Sequence, residues 1–303
     1  MNRFIQKTKT RIGQMDLLSD MWNIGFITED IADVVKSDKL HIHWLKHNYT
    51  DRWFADPFLL EVTEKQIIVL VEEFCYKIRK GRIARLVISR PDYVLQDMKI
   101  VLEMPYHLSF PVICQKDDET FVMPECALSG ELNLYKYNPK TIMLEKVSEV
   151  GHLPLSDATI VTFKSGEKYI FSTEFPNPNG NVLQVYPFDG NAMTIQPKPV
   201  AEISFPSNIA RNAGDTFYIG DDMYRPAQDC NKCYGNGINI QKVTKDGQFF
   251  SFETVKSFHS DNPNYSLGYH TLNMKDGLIV VDGHRFRYPR TVKLLQAISR
   301  LLR

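Results

Sequence analysis

One pattern recurs five times in this chain at intervals of about 50 residues, a period that is typical of propellers and solenoids. Each copy reads as a short apolar strand, a polar turn and a second strand that ends on a polar residue. In an antiparallel pair, the start of the first strand and the end of the second lie at the same edge of the sheet. The repeat therefore predicts that polar groups gather at one place. The copies are residues 56–73, 109–125, 157–173, 208–222 and 270–284.

The number of strands decides how such a ring would close. A propeller blade has four strands, but only residues 285–303 follow the fifth copy, and most of these have a helical pattern. The unassigned strands 22–27 and 40–44 supply the missing pair if both ends of the chain meet in one blade. We therefore predict an all-β, five-bladed β-propeller closed by N-terminal strands, with a short C-terminal amphipathic helix.

This prediction divides the chain into an N-terminal extension (1–21), the propeller (22–288) and a basic amphipathic helix (289–303). The helix either packs on the propeller or lies on a surface of anionic lipid. The N-terminus lacks the apolar core of a signal peptide, and no apolar stretch reaches the roughly 18 residues that a membrane span needs. We expect a cytoplasmic protein, peripheral at the inner membrane face if the helix binds lipid.

Composition narrows the partners and cofactors. Lys plus Arg and Asp plus Glu both number 36, so the formal net charge is zero and nothing indicates nucleic acid as a partner. Of the five cysteines, only Cys230 and Cys233 have metal-site spacing, and no second pair completes a zinc site. We interpret them as reduced cysteines and predict no metal and no cofactor. Phosphate-loop, dinucleotide-binding and serine-hydrolase motifs are also missing from the sequence.

Three acids occupy matching places in successive copies of the repeat. Asp56 and Asp157 open their copies, and Glu125 ends the second strand of its copy. Two carboxyl groups that flank a sugar bond can donate a proton to the leaving oxygen and activate the attacking group. Like charges held close raise one pKa and so keep one group protonated. We predict Asp56, Glu125 and Asp157 as catalytic residues; the alternative is a ring of acids that only binds a ligand or a structural ion.

Other polar residues lie at strand ends or on adjacent loops. Arg82 can contact an anion, and Arg225 lies in a dense polar loop where its guanidinium can pair with phosphate or carboxylate. His270 opens the fifth copy as an acid or base, a metal ligand or a buried core group. The predicted substrate-binding residues are Glu73, Arg82, His107, Ser109, Arg225, Gln228, Asp229, Tyr234 and His270.

The order of these motifs resembles one known family. The motifs are Ala55-Asp-Pro-Phe58, His107-Leu-Ser-Phe-Pro111, Met123-Pro-Glu125, Ser156-Asp-Ala-Thr159, Arg225-Pro-Ala-Gln-Asp-Cys230 and Tyr269-His-Thr-Leu272. Together they resemble the N-terminal domain of plant glucosamine inositolphosphorylceramide transferases and its bacterial relatives. The resemblance also implies a propeller similar to those of furanosidase-type glycoside hydrolases, which carry an acidic triad in a central funnel.

The resemblance leaves three hypotheses about function. The first is a glycosyl-transfer enzyme of bacterial surface polysaccharide or glycolipid biosynthesis, which would bind a sugar or nucleotide sugar and a lipid-linked acceptor at the membrane surface. The second is a furanosidase-type glycoside hydrolase. The third is a propeller that binds glycans without catalysis, because a fold by itself does not determine function.

Overall fold

The structure is a computed structural model that describes residues 19–292 and 294. The chain begins with strand β1 (Asp20–Ile27), helix α1 (Ile31–Lys36) and strand β2 (His43–Trp44). Asp30 caps α1, since its side chain accepts a hydrogen bond from the amide of Ala32 at 2.8 Å. This short helix was not predicted from the sequence.

Four antiparallel sheets follow in chain order. Blade 1 contains β3 (Arg52–Val62), β4 (Gln66–Cys75), β5 (Lys80–Ser89) and β6 (Leu95–Leu102). Blade 2 contains β7 (Ser109–Lys116), β8 (Glu119–Glu125), β9 (Leu132–Asn138) and β10 (Met143–Gly151). Blade 3 contains β11 (Leu155–Thr162), β12 (Lys168–Glu174) and β13 (Val182–Asp189), which pairs with β14 (Thr194–Ile195) and β15 (Ala201–Ser204). Blade 4 contains β16 (Phe217–Ile219), β17 (Asp222–Asp229), β18 (Gly237–Asp246) and β19 (Phe249–His259).

Blade 5 joins both ends of the chain. Its inner strands are β20 (Leu272–Lys275) and β21 (Leu278–Phe286), and its outer strands are β1 and β2. β1 pairs with β21 along its whole length, from Asp20 opposite Phe286 to Ile27 opposite Ile279. Trp44 of β2 covers this pairing, and a Cβ atom on Gly283 would lie 2.3 Å from its ring. The predicted five-bladed propeller and its closure by N-terminal strands are confirmed.

Apolar side chains fill the space between neighbouring blades. Ile24 and Phe26 of β1 pack with Val69 of blade 1, and Ile279 of blade 5 packs with Ile240 of blade 4. Similar clusters lie between the remaining blades. Each sheet thus buries both of its faces, which explains the near-continuous apolar runs of the inner strands.

The inner strands of blades 1, 2 and 3 carry a bulge at the same place. The pairing of the inner strand with its neighbour shifts after Ala55, Ser109 and Ser156. The first bulged residue has a positive φ in each case, 49° for Asp56, 43° for Phe110 and 47° for Asp157. Strand starts and ends meet as predicted, with Ser109 opposite Glu125. The bulge re-aims the side chain of the next residue at this edge of the sheet.

Two sequence predictions need correction or extension. Blade 4 does not form its first hairpin within residues 208–222, because 208–213 are irregular and the turn at Gly220 leads into β17 as the second strand. At the C-terminus, residues 289–292 and 294 are helical, and the rest of the predicted amphipathic helix lies outside the described residues. The division of the chain into three segments stays a prediction. None of the helices in the described part of the chain is long and apolar enough to cross a bilayer.

Candidate functional site

Polar side chains from all five blades contact one another in a buried group of the described residues, at the edge where the inner strands begin; this group is here called the axial cluster. Asp56 and Asp157, the first bulged residues of blades 1 and 3, are 3% and 2% exposed. The equivalent residue of blade 2 is Phe110, which packs against Phe58 at a ring distance of 5.0 Å. Blade 2 contributes Glu125 instead, from the end of β8.

Glu125, Asp157 and Arg211 form the first half of the axial cluster. Arg211 of blade 4 donates to both carboxylate oxygens of Asp157, at 2.5 Å from Nε and 3.2 Å from Nη2, and Nη2 lies 3.5 Å from Glu125. Glu125 also accepts from the amide of Asp157 at 2.9 Å and from the hydroxyl of Ser156 at 2.8 Å. Two carboxyl groups therefore share one guanidinium.

Asp56, His270 and Asp282 form the second half. The His270 imidazole lies between the two acids, with Nδ1 2.7 Å from Asp282 and Nε2 3.4 Å from Asp56. Asp282 accepts from the amides of Asp56, His270 and Thr271 at 3.0 to 3.1 Å. Asp56 in turn accepts from the Thr271 hydroxyl at 2.8 Å and from the Phe110 amide at 3.1 Å. These bonds tie blade 5 to blade 1 and blade 1 to blade 2.

Burial and neighbouring charges shift the pKa values of the axial cluster. Burial raises the pKa of Asp56 to about 7, although His270 opposes the shift. Burial likewise raises the pKa of Asp157 to about 7, against the effect of Arg211 and with the help of Glu125. Burial disfavours the charged form of His270, but Asp282 and Asp56 outweigh it and raise its pKa to about 9. At neutral pH the cluster thus holds a protonated histidine and acids that exchange protons.

Asp56, His270 and Asp282 also have the donor types of a metal site, with ligand atoms within 4.8 Å of one another. Each of the three already has protein partners, since Asp282 accepts three amide hydrogen bonds and His270 bridges the two acids. The arrangement is satisfied as a hydrogen-bonded ion network.

The two adjacent acids at the end of β4 have different surroundings. Glu73, the predicted binding residue, is fully buried and pairs with Arg52 and Arg82, each at 2.9 Å. Glu72 lies near the axial cluster, where its charge adds to the effect of burial and helps to raise the pKa of Asp56. Glu72 also lies 3.0 Å from Nε2 of His107. Successive strand residues face opposite sides, so Glu72 and His107 border the cluster, whereas Glu73 and Arg82 form an ion pair beside it.

The predicted polar loop at residues 225–229 is wrong, because these residues form β17 and pair fully with β18. Arg225 is 1% exposed and donates to Asn212 and Gln241 at 2.7 Å and 2.6 Å. Gln228 reaches the axial cluster, donating to Asp157 at 2.8 Å. Polar residues occur in this buried strand because each finds a partner inside the blade.

Asp229 ends β17 and holds the connection that follows it. Its carboxylate accepts from Asn231 and Asn236 and lies 2.8 Å from His259. This connection carries Tyr234 over the axial cluster. The predicted residue Ser109 is buried at the start of blade 2, in register with Glu125.

Aromatic rings cover the axial cluster. Trp22 stacks on His270 and His284, with ring distances of 3.9 Å and 4.0 Å. Tyr234 meets His270 edge-on at 5.1 Å, and the guanidinium of Arg211 lies 5.0 Å from the Tyr234 ring. Tyr234 is 37% exposed, so one side of its ring faces solvent while the other lies against His270 and Arg211. The ring therefore separates the buried acids from solvent.

Three residues of the cluster were not predicted from the sequence: Arg211, Asp282 and Trp22. Arg211 lies near the start of the fourth copy of the repeat, as Asp56 and Asp157 lie at the start of theirs. Asp282 lies in the second strand of the fifth copy, two residues before the His284 that ends it. The repeat thus contained a signal for both, whereas Trp22 joins the cluster only because β1 completes blade 5.

Similar proteins fall into two groups. Glucosamine inositolphosphorylceramide transferase 1 from Oryza sativa subsp. japonica is 27% identical over 205 residues, covering 65% of this chain and 27% of that protein. The protein of the same name from Arabidopsis thaliana is 32% identical over 154 residues, covering 49% of this chain and 20% of that protein. The chain thus covers 27% of the length of the first of these relatives, which is about a quarter.

Solved structures with the same fold are distant in sequence. The GH43_1 enzyme from Xanthomonas citri complexed with xylotriose gives a TM-score of 0.53 at 9% identity, covering 78% of this chain and 88% of that one. CoXyl43, a GH43 beta-xylosidase/alpha-arabinofuranosidase from a compost microbial metagenome, gives 0.53 at 8% identity, covering 80% and 93%. At such identities the likeness shows the fold alone.

A family match covers most of the propeller. Residues 42–264 match the family "Glucosamine inositolphosphorylceramide transferase 1, N-terminal". This segment includes the bulges of blades 1 to 3, Arg211 and Tyr234, and it leaves out β1 and β21. The chain therefore belongs to the family of the N-terminal domain of glucosamine inositolphosphorylceramide transferase 1.

Proposed function

We propose that this protein is a carbohydrate-active enzyme that transfers a glycosyl group from a nucleotide sugar to a lipid-linked acceptor, in bacterial surface polysaccharide or glycolipid biosynthesis. The names of the curated relatives support glycosyl transfer. The sugar would bind beneath Tyr234, above the axial cluster. A cytoplasmic site at the inner membrane face would give access to both substrates.

One observation carries this proposal. Glu125, whose side chain is 12% exposed, lies directly beside Asp157, which is buried and has a pKa raised to about 7. Because burial and the neighbouring Glu125 raise the pKa of Asp157 to about 7, the Asp157 carboxyl group can carry or release a proton beside Glu125 at neutral pH. As the acceptor oxygen bonds to the anomeric carbon, a carboxylate takes its proton and the bond to the leaving oxygen breaks.

The contacts give each acid a different role in the proposal. Glu125 is the most accessible of the three and acts on the substrate. Asp157, which is paired with Arg211, exchanges a proton beside Glu125. Asp56, held by His270 and Thr271, is the second proton acceptor. Arg225 and the Glu73–Arg82 pair support the blades, so we leave them out of the proposed sugar-binding set. The residues that remain in this set are His107, Ser109, Gln228, Asp229, Tyr234 and His270.

A second candidate is a propeller that binds a sugar without catalysis. It is favoured by the burial of Asp56 and Asp157, which are at most 3% exposed and already hydrogen-bonded within the protein. A ligand would then contact the more exposed side chains of Tyr234, His107 and Glu125.

Turnover on a panel of nucleotide sugars and aryl glycosides tests the proposal. We expect wild-type protein to use a nucleotide sugar, and Glu125→Gln and Asp56→Asn to lose about 100-fold or more, as is usual for an acid–base group. Asp215→Asn is the matched control, because burial also raises the pKa of Asp215 to about 7 but this residue lines a separate cleft with Cys114 and Lys168. Full activity in the Glu125 and Asp56 variants would remove these acids from catalysis.

Two other outcomes decide between the alternatives. Hydrolysis of aryl glycosides without use of any nucleotide sugar would favour a furanosidase-type glycoside hydrolase. Sugar binding by calorimetry without turnover on either set would favour the binding propeller.

A further inference from the structure

The end of the propeller at which the axial acids lie, here called the acid face, carries one exposed large apolar side chain from each blade. In blades 1 to 4 the chain turns back at this face after the second strand, and in blade 5 it leaves the second strand here toward the C-terminus. These five segments, here called the rim, are residues 76–79, 126–131, 175–181, 230–236 and 287–292. Their exposed apolar side chains are Ile78 (43%), Leu128 (71%), Phe175 (37%), Tyr234 (37%) and Tyr288 (40%).

The rim is also basic. It contains five cations, Lys77, Arg79, Lys232, Arg287 and Arg290, and one acid, Glu131. Glu131 lies 3.8 Å from Lys146, outside the rim. Three acids elsewhere on this face have cationic partners: Asp51 pairs with Arg52, Glu103 with Arg82 and Asp261 with Lys39.

The opposite face has the reverse charge. The turns between the first and second strands of the blades are residues 63–65, 117–118, 163–167, 220–221 and 276–277. They contain six acids and two cations, Lys65 and Lys164, against one acid and five cations on the rim. Lys164 is itself paired with Asp221 at 2.5 Å. The molecule is therefore polarised, with its acid face attractive to an anionic surface and its opposite face repelled by one.

The ends of the described chain continue this basic apolar surface. The amide of Arg287 in the rim donates to the carbonyl of Ser19 at 2.9 Å, so both chain ends leave the propeller at the acid face. The sequence of residues 1–18 adds four Lys or Arg and one acid, and that of residues 293–303 adds three and no acid.

We propose that the rim docks onto an anionic lipid bilayer, with the acid face toward the headgroups. Tyr, Phe, Leu and Ile side chains reach into the headgroup region, and Lys and Arg bind the anionic lipid. Single apolar side chains between cations fit a fluid surface, whereas a protein partner needs a well-packed complementary patch. Docking does not depend on the chemistry at the axial cluster. Docking also bears on the proposed function. If that function is correct, on which this part of the inference rests, the acceptor is a lipid whose sugar headgroup points from the bilayer toward Tyr234.

Flotation of the full chain with vesicles tests the proposal. We expect binding to vesicles of phosphatidylcholine mixed with phosphatidylglycerol, little binding to phosphatidylcholine alone, and weaker binding as salt is added. The variant Lys77→Gln with Lys232→Gln should bind at least about tenfold more weakly, because each cation near the surface contributes to binding. The variant Ile78→Ser with Leu128→Ser should also lose binding. Thermal unfolding checks that both variants fold, since all four side chains are exposed.

Matched controls lie on the opposite face. Lys65→Gln with Lys140→Gln makes the same change of charge, and Phe249→Ser removes an aromatic ring that is 83% exposed. Neither control should change vesicle binding. Equal losses in control and rim variants, or no binding of the wild-type protein to either vesicle, would overturn the proposal. So would a rim-dependent dimer in solution, which would assign the rim to a second copy of the chain.

A second readout reports orientation. Brominated lipid in the mixed vesicles should quench the fluorescence of the tryptophan introduced by Leu128→Trp. It should not quench that of the tryptophan introduced by Phe249→Trp. Asp56→Asn, the inactive variant of the proposed enzyme, should keep full vesicle binding. Loss of turnover with retained binding would therefore separate a failure of the proposed chemistry from a failure of docking.

Discussion

The acids of the axial cluster depend on two buried cations. Asp157 binds Arg211, and Asp56 binds His270. Because Asp157 is 2% exposed, water cannot replace a lost partner without a change of structure. A buried carboxylate without its partner is protonated or destabilises the fold. The cations therefore decide which acids can be charged at neutral pH.

Removing Arg211 should expose this dependence. We expect Arg211→Gln to lower the free energy of unfolding by about 3–5 kcal/mol near neutral pH, as for other broken buried ion pairs. The loss should be smaller at acid pH, where Asp157 is protonated. Urea unfolding at both pH values measures it.

The double variant Arg211→Gln with Asp157→Asn is the control. It removes the unpaired charge and should recover part of the stability. An equal loss at both pH values, with no recovery in the double variant, would show that Arg211 acts through packing alone.

At the scale of elements, β1 determines whether the ring closes. It supplies the third strand of blade 5, and its side chains enter the cores on both sides of that blade. Without β1, the strand β21 would present an unpaired edge. The same strand places Trp22 over His270, so closure and construction of the axial cluster are coupled.

Core substitutions in β1 should therefore be costly. Ile24 and Phe26 are fully buried, and we expect Ile24→Ala to cost about 2–5 kcal/mol and Phe26→Ala about 3–5 kcal/mol. Chemical denaturation gives both values. Val147→Ala, in the outer strand β10 and 54% exposed, should change stability by less than about 0.5 kcal/mol. If the two β1 variants lose as little stability as Val147→Ala, blade 5 is held together by β20 and β21 alone.

At the scale of the whole molecule, the axial cluster ties stability to pH. The pKa values of Asp56 and Asp157 are raised from 3.8 to about 7, mainly by burial. Between these pH values the native state holds protons that the unfolded state has released, so stability falls as pH rises. Despite burial, Asp282 and Asp56 raise the pKa of His270 from 6.5 to about 9. Its contribution is complete below 6.5 and is lost as pH rises through 9.

We therefore expect Tm to fall steadily from about pH 5 to about pH 9, over the window in which these groups titrate. Thermal unfolding across this range measures the slope. The double variant Asp56→Asn with Asp157→Asn should make Tm depend less on pH in the acidic part of this range. His270→Gln should do the same in the alkaline part. A Tm that stays constant or rises would contradict the pKa shifts.

The five-fold repeat in the sequence is enough to predict the architecture of this protein and the place of its acids. A repeat of two strands with polar ends requires those ends to meet at one edge, and the number of strands required β1 to complete blade 5. Asp56, Glu125 and Asp157 could be found in this way because each occupies a repeated position along the chain.

The partners of these acids could not be predicted in this way, because they come from distant parts of the chain that meet in the folded ring. Arg211 reaches Asp157 from another blade, and Glu72 rather than Glu73 borders the cluster, since strand register and bulges set the direction of each side chain. Residues 225–229 read as a loop from their polarity, yet they form a buried strand because each polar group is satisfied within the blade. The polarity of the two faces likewise arises from connections that are far apart in the sequence and meet only in the closed ring.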